Sequence, residues 1–425
     1  MTLAALRARA IALWHSPSLW LVGSNLLTRV LSFVVTLLIS RTSGMGTLGA
    51  YSSLLISAAS LTTPVSQAMA NSATLMVTRR PDTQSWRRVL TGNAWVLSGC
   101  ALLVVLGPWF LFSRTDGQGS PGLPPALGYA VVAALALGQL LSQFMLGLAH
   151  GANRSRQASW LVAAVMLAGI ASCWLVIQTW GLAGALVQAA VVMAAPGILL
   201  WLYVMRRASA TSAIDTVADR QDAWQRFTHA LPSIGSTFIN NATNWLCCIY
   251  WVLQHHGHVG VGLVTIGLQW AVMMQLPVNS WGGRIVHALG TASAEGHAAL
   301  KRETAHQVRR CVGVSLLTGA AVVVMSPWIA DLYHADRNML IGLFVINGLA
   351  AVVASANYVF ERVFFCLESQ RMWLLTSMIA YVVQLAFTMI AIPHSLLAVA
   401  WGNLLAVTTI AVIVYLHLRS RWREP

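Results

Sequence analysis

The sequence predicts an all-α integral membrane protein, with twelve transmembrane helices in two six-helix lobes related by a pseudo-two-fold axis along the membrane normal. Three observations predict it. First, 57% of the 425 residues are hydrophobic and only 9% charged, where a soluble domain carries about 25% charged residues. Second, twelve mostly apolar segments approach the roughly 20 residues that cross a bilayer. They start near Ser18, Leu48, Val89, Pro125, Trp160, Leu182, Phe227, Val259, Cys311, Met339, Met372 and Ser395. Third, the basic residues of the connections alternate between the two sides. With the N-terminus cytoplasmic, 21 fall in cytoplasmic loops and termini, and only Arg41, Arg114 and Arg337 fall opposite. This is the bias that orients membrane proteins, and one missed or added helix would scramble it. Arg29 and Arg362 remain, both within helices.

The first two spans, Trp20 to Val77, are joined by the turn Gly44-Met45-Gly46-Thr47, and each carries a polar stripe. Asn25, Arg29, Ser32 and Thr36 share one face of the first. Ser53, Ser57, Ser60, Gln67, Asn71 and Thr74 share one face of the second, with Pro64 on the stripe. Lipid cannot hydrogen-bond these groups, so the stripes must meet protein or water. Arg29 lies about midway along its span, where a charge costs roughly 3 kcal/mol on insertion scales, which makes it a functional candidate. The fourth span offers Gln139 and Gln143. The connection 206–225 is polar and mixed in charge, and reads as a cytoplasmic linker between an N-terminal lobe, 1–205, and a C-terminal lobe, 226–425.

In the second half, Ser233, Ser236, Asn240 and Asn244 mark one face of the seventh span, with Asn241 beside it. Thr265 and Gln269 lie one turn apart on the eighth, and the tenth carries Asn347 and Glu361-Arg362. A shift of 213 residues pairs Gly49 with Gly262, Leu55 with Leu268, Ala58 with Ala271 and Pro64-Val65 with Pro277-Val278. With six helices per half this points to parallel repeats. Residues 290–309 read as an amphipathic helix on the cytoplasmic surface, and Met1–His15 as a short interfacial helix.

Composition also excludes. The net charge of +14 does not indicate nucleic acid, because the charges sit in short loops rather than on one basic face. The six cysteines fall in apolar segments without metal-ligand spacing and read as small buried hydrophobes, so neither a disulfide nor a metal is expected. His255, His256 and His258 read as a solvated loop. No cofactor is implied.

Arg29-Val30-Leu31, Arg41, the glycine turn, Leu48-Gly49-Ala50-Tyr51, Leu231-Pro232, Leu276-Pro277 and Ala294-Glu295-Gly296 before a basic helix together resemble the polysaccharide flippases of the MOP exporter superfamily. These are the translocases of O-antigen and exopolysaccharide repeat units. Lipid II flippases share the arginine of the first helix, but many carry helices beyond twelve. The resemblance implies a MATE-like pair of lobes around a cavity lined by helices 1, 2, 7 and 8. It implies an undecaprenyl-diphosphate-linked oligosaccharide as cargo, moved from the cytoplasmic to the periplasmic leaflet of a bacterial inner membrane by alternating access. Both termini would be cytoplasmic, and a polymerase or chain-length apparatus of the same pathway would be a partner.

Arg29, Asn25, Arg41, Gln67, Asn71, Asn240, Asn241, Asn244 and Gln269 are then the expected cargo contacts. Glu361 and Arg362 are the expected coupling or gate residues, with an H+ or Na+ gradient as driving force. Each has a plainer reading: ion pairing of Arg29 with Glu361, interfacial anchoring by Arg41, helix–helix hydrogen bonding by the amides, and bending at Pro64 and Pro277. A MATE-type cation-coupled drug or metabolite antiporter is the alternative. Against it, the first six spans contain no Asp or Glu. An enzyme is not expected, since no long outside loop is present to carry catalytic residues.

Overall fold

The computed structural model describes residues 17–78, 97–99, 101–102, 106, 125–152, 154–207, 216–255, 257–367 and 369–422. Among them every regular element is helical: α1 (Pro17–Thr78), α2 (Pro125–Gly151), α3 (Ser155–Arg207), α4 (Thr216–His255), α5 (Val259–Ser280), α6 (Gly282–Glu295), α7 (His297–Tyr333), α8 (Arg337–Cys366), α9 (Gln370–Ala391) and α10 (Leu397–Arg421).

Two of these elements are double. α1 breaks at Gly44 alone (φ 83°, ψ 170°), and α3 at Gly181 (φ 53°, ψ −133°). Glycine supplies these conformations because it lacks a Cβ. A straight helix of 53 residues would run about 80 Å, against a hydrocarbon core of about 30 Å. α3 instead doubles back, since Gln188 Nε2 donates to the carbonyl of Gly169, nineteen residues away, at 2.6 Å. With both breaks counted, eleven of the twelve expected spans coincide with helices. The third falls mostly outside the described residues, as do Met1–His15 and residues 208–215 of the expected linker, whose second half is already helical from Thr216. The expected surface helix is split by Gly296 (φ 116°) into α6 and the polar first turns of α7.

By contact the chain forms two units: residues 1–38 with 57–234, and residues 39–56 with 235–425. In the first, α2 packs along α3 and along the second limb of α1. Gly147 and Gly151 let its backbone approach Ala70 and Thr74 so closely that a Cβ would overlap their carbonyl oxygens or stand at van der Waals overlap with them. Small residues allow such approach in membrane helices. Met69, Ala73, Val77, Phe144, Met145, Leu148 and Ala158 form its core. In the second unit α8 is central, touching α5, α6, α7, α9 and α10. Its Leu340, Leu343, Phe344, Val359 and Val363 are completely buried.

A polar repair stands inside the first unit. Pro196 lies within α3 and interrupts its ladder. One residue on, the Gly197 N–H donates to Ser142 Oγ of α2 at 3.0 Å, and Ser142 Oγ donates to the Met193 carbonyl at 2.5 Å. One hydroxyl thus bridges two backbone groups around the proline, where no water is on hand. Ser142→Ala removes both bonds, which costs about 1–3 kcal/mol. It is expected to lower the unfolding temperature of the purified protein in detergent, with Ser142→Thr closer to the parent. An unchanged melt for the alanine variant would contradict the bridge.

Candidate cargo site

In the first unit, the first limb of α1 buries Ser24, Leu31 and Val35. Leu31 lies against Gly169 of α3. The adjoining face leaves Asn25, Arg29 and Ser32 exposed. Arg29 and Asn25 have no hydrogen-bond or ion-pair partner among the described residues, and the same holds for the exposed Gln67. The side chain of Asn71 lies outside the described residues. Gln139 is committed elsewhere, donating from Nε2 to Thr63 Oγ1 at 3.1 Å. It ties α2 to the second limb of α1.

The second unit uses its amides differently. Asn244 Nδ2 donates to Asn240 Oδ1 at 2.9 Å, and Gln384 Nε2 of α9 donates to Asn244 Oδ1 at 3.0 Å. Gln384 and Thr388 are completely buried. Gly402 of α10 makes room for them, since a Cβ there would overlap Thr388 Oγ1. Asn240, Asn241 and Asn244 are half-buried, as is Gln269, and both Asn241 and Gln269 are engaged. Asn240 and Asn244 are therefore held in a chain that crosses from α4 to α9, and Asn240 ends it. Gln384 and Thr388 are absent from the expected set. The signal was there, because the buried face of α9 is Thr376, Ser377, Ala380, Gln384 and Thr388: small and polar inside, apolar outside.

Arg41 is exposed, and its Nε donates to the Leu332 carbonyl at 2.8 Å. That carbonyl belongs to the last turn of α7, which His334 closes in the left-handed conformation (φ 52°, ψ 41°). A cation at a helix C-terminus is favoured by the helix dipole, so Arg41 has the contacts of an anchor. Glu361 pairs with its neighbour Arg362, whose guanidinium lies 4.0 Å from the Tyr358 ring centroid.

At the start of α5, a Cβ on Gly49 would overlap the His258 carbonyl. One on Gly262 would stand 2.8 Å from the Met45 carbonyl and 3.3 Å from the Gly49 nitrogen. A shift of 213 residues carries Met45 onto His258 and Gly49 onto Gly262. The two contacts are therefore exchanged copies of each other, as across a two-fold axis. Of the histidines next to it, His256 lies outside the described residues. His255 is exposed, stacks on Trp251 at 3.9 Å and contacts the Ile392 carbonyl at 3.1 Å. His258 Nδ1 stands 3.5 Å from Ser53 Oγ, and burial pushes its pKa down. Among the described residues no group of three or more His, Cys, Asp or Glu could hold a metal. Cys173, Cys247, Cys248 and Cys311 are buried free thiols.

Residues 294–424 match the family described as "PelG: Putative exopolysaccharide Exporter (EPS-E)". An inward-facing multidrug resistance MATE family transporter of the MOP superfamily superposes with a TM-score of 0.74 at 15% identity, covering 93% of this chain and 94% of that one. The chain has the fold of a MOP-superfamily transporter. An outward-facing MATE transporter of the superfamily gives a TM-score of 0.67 at 14% identity, covering 96% and 94%. A MOP transporter from Pyrococcus furiosus, described as having a binding pocket of reverse polarity, gives 0.68 at 14% identity, covering 96% and 94%. No curated protein matches by sequence. Among the described residues eight helices are long and apolar enough to cross a membrane, as a multi-pass protein of this fold requires.

The amide chain separates a structural role from a cargo role for Asn244. Asn244→Leu strands the buried Gln384 amide and is expected to lower detergent stability by about 1 kcal/mol or more. Asn244→Leu with Gln384→Leu should recover part of that loss. Full stability of Asn244→Leu with export abolished would instead make Asn244 a cargo contact.

Proposed function

We propose that this protein translocates an undecaprenyl-diphosphate-linked oligosaccharide from the cytoplasmic to the periplasmic leaflet of a bacterial inner membrane, by alternating access. The guanidinium of Arg29, exposed within a spanning helix and without a partner among the described residues, carries this reading. An unpaired charge facing acyl chains is costly, so Arg29 belongs where water or an anionic cargo meets it. Guanidinium binds phosphate bidentately. The free amides of Asn25 and Gln67 in the same unit suit sugar hydroxyls. The match of residues 294–424 to an exopolysaccharide exporter family supports a glycan over a drug. Asn71, Asn240, Asn241 and Gln269 are proposed as further cargo contacts, and Glu361 with Arg362 as a gate driven by an H+ or Na+ gradient. Both termini face the cytoplasm in this reading, and a polymerase or chain-length apparatus receives the product.

The second reading, a cation-coupled drug antiporter, has the MATE superpositions in its favour. The absence of any Asp or Glu from the first six spans and a bare arginine oppose it.

Loss of the gene is expected to leave lipid-linked repeat units inside and the surface glycan missing. Complementation with Arg29→Ala, at equal membrane level, should fail, and Arg29→Lys should restore part of the glycan. Normal glycan in the deletion strain, together with drug sensitivity, would favour the antiporter.

A further inference from the structure

The longest helix of the second unit starts outside the bilayer. In α7 the apolar residues run from Cys311 to Tyr333, about 34 Å of helix and enough to cross a core of about 30 Å. Residues 297–310 therefore extend beyond one membrane surface, with Arg309 and Arg310 at its edge. Ala298, Lys301, Arg302, Ala305, His306 and Arg309 line a depression of about 450 Å³ along this extension. Their spacing puts them on one face of the helix, with the two alanines as floor and the basic groups as rim.

The stripe holds no acidic residue. Glu303, the nearest on the helix, faces away half-buried and accepts from Gln307 Nε2 at 2.7 Å. Lys301, Arg302, His306 and Arg309 have no carboxylate partner among the described residues. Two tryptophans flank the extension. The Arg310 guanidinium lies 4.6 Å from the Trp281 ring centroid, and Lys301 Nζ 6.0 Å from that of Trp422. Tryptophan favours the headgroup layer, which places the cradle at headgroup depth.

We propose that this cradle binds the phosphate headgroup of an acidic phospholipid in the leaflet next to it. The Lys and Arg side chains supply charge and donors. The alanine floor leaves room for the headgroup, and the acyl chains run alongside the apolar part of α7. Basic residues are drawn to acidic lipid at a membrane surface, and the three permanent cations on one face favour an acidic headgroup over a zwitterionic one. The site lies outside the proposed cargo residues and does not depend on the nature of the cargo.

The test uses the full-length protein in nanodiscs of phosphatidylcholine carrying phosphatidylglycerol with a photoactivatable headgroup, and mass spectrometry to map adducts. Adducts are expected within residues 297–310. They should fall at least about tenfold in the Lys301→Gln, Arg302→Gln, Arg309→Gln triple variant and in Ala305→Glu, which places an acid on the floor. The elution profile of each variant verifies its fold. Three results would overturn the proposal: equal labelling by a phosphatidylcholine probe, equal labelling of both variants, or displacement of the probe by farnesyl diphosphate but not by excess phosphatidylglycerol. The last would assign the cradle to an isoprenyl diphosphate instead.

Discussion

Within a bilayer a polar group has no water to fall back on, and the structure is arranged around that constraint. Two kinds of polar group stand out within its helices. One kind is closed by protein: Ser142 of α2 bridges two backbone groups beside Pro196 of α3, Gln139 reaches Thr63, and Gln384 reaches Asn244, which reaches Asn240 of its own helix. All but the last join two helices that apolar contact alone would hold loosely, since lipid tails compete equally well for apolar surface. The other kind is left open. Asn25, Arg29 and Gln67 are exposed and without described partners. The transport reading rests on the contrast, for a chain that satisfies so many polar groups internally leaves a guanidinium bare.

The glycines of the repeat answer a second need. Gly49 and Gly262 sit at near-contact of two backbones, and the contacts of Met45–Gly262 and Gly49–His258 exchange under the repeat. Residues 39–56 group with 235–425, and these contacts, with Arg41 on the last turn of α7, are the reason. Both glycine contacts are close approaches to a backbone carbonyl, so a side chain larger than glycine's would collide at either position.

Much of this was legible in the residues. Hydropathy and arginine alternation located eleven spans that the structure confirms as helices, because length and loop charge are strong constraints on a membrane chain. The pairing of Gly49 with Gly262 was visible as a repeat, though not that the two glycines touch. Of the first stripe of α1, read as polar, Asn25, Arg29 and Ser32 are exposed and Thr36 is buried. What escaped was the partnership of amides. The asparagines of α4 were visible as a stripe, but their bonding to Gln384 required knowing that α9 lies beside α4. Gln384 and Thr388 escaped because isolated polar positions in a long apolar segment look weak until their burial is known. The contacts of the histidines near residue 255 were not visible either: a polar cluster between spans suggests solvent, and His255 is exposed, yet it stacks on Trp251 while His258 lies beside Ser53.

The account stands on water or a polar ligand reaching Arg29. Arg29→Cys in an otherwise cysteine-free protein, in intact membranes, tests that directly with a charged, membrane-impermeant thiosulfonate and a lipid-soluble maleimide applied in parallel. The charged reagent is expected to modify residue 29, and a cysteine at the buried Leu31 to resist it. Modification of residue 29 by the maleimide alone would place the side chain against acyl chains and contradict the account.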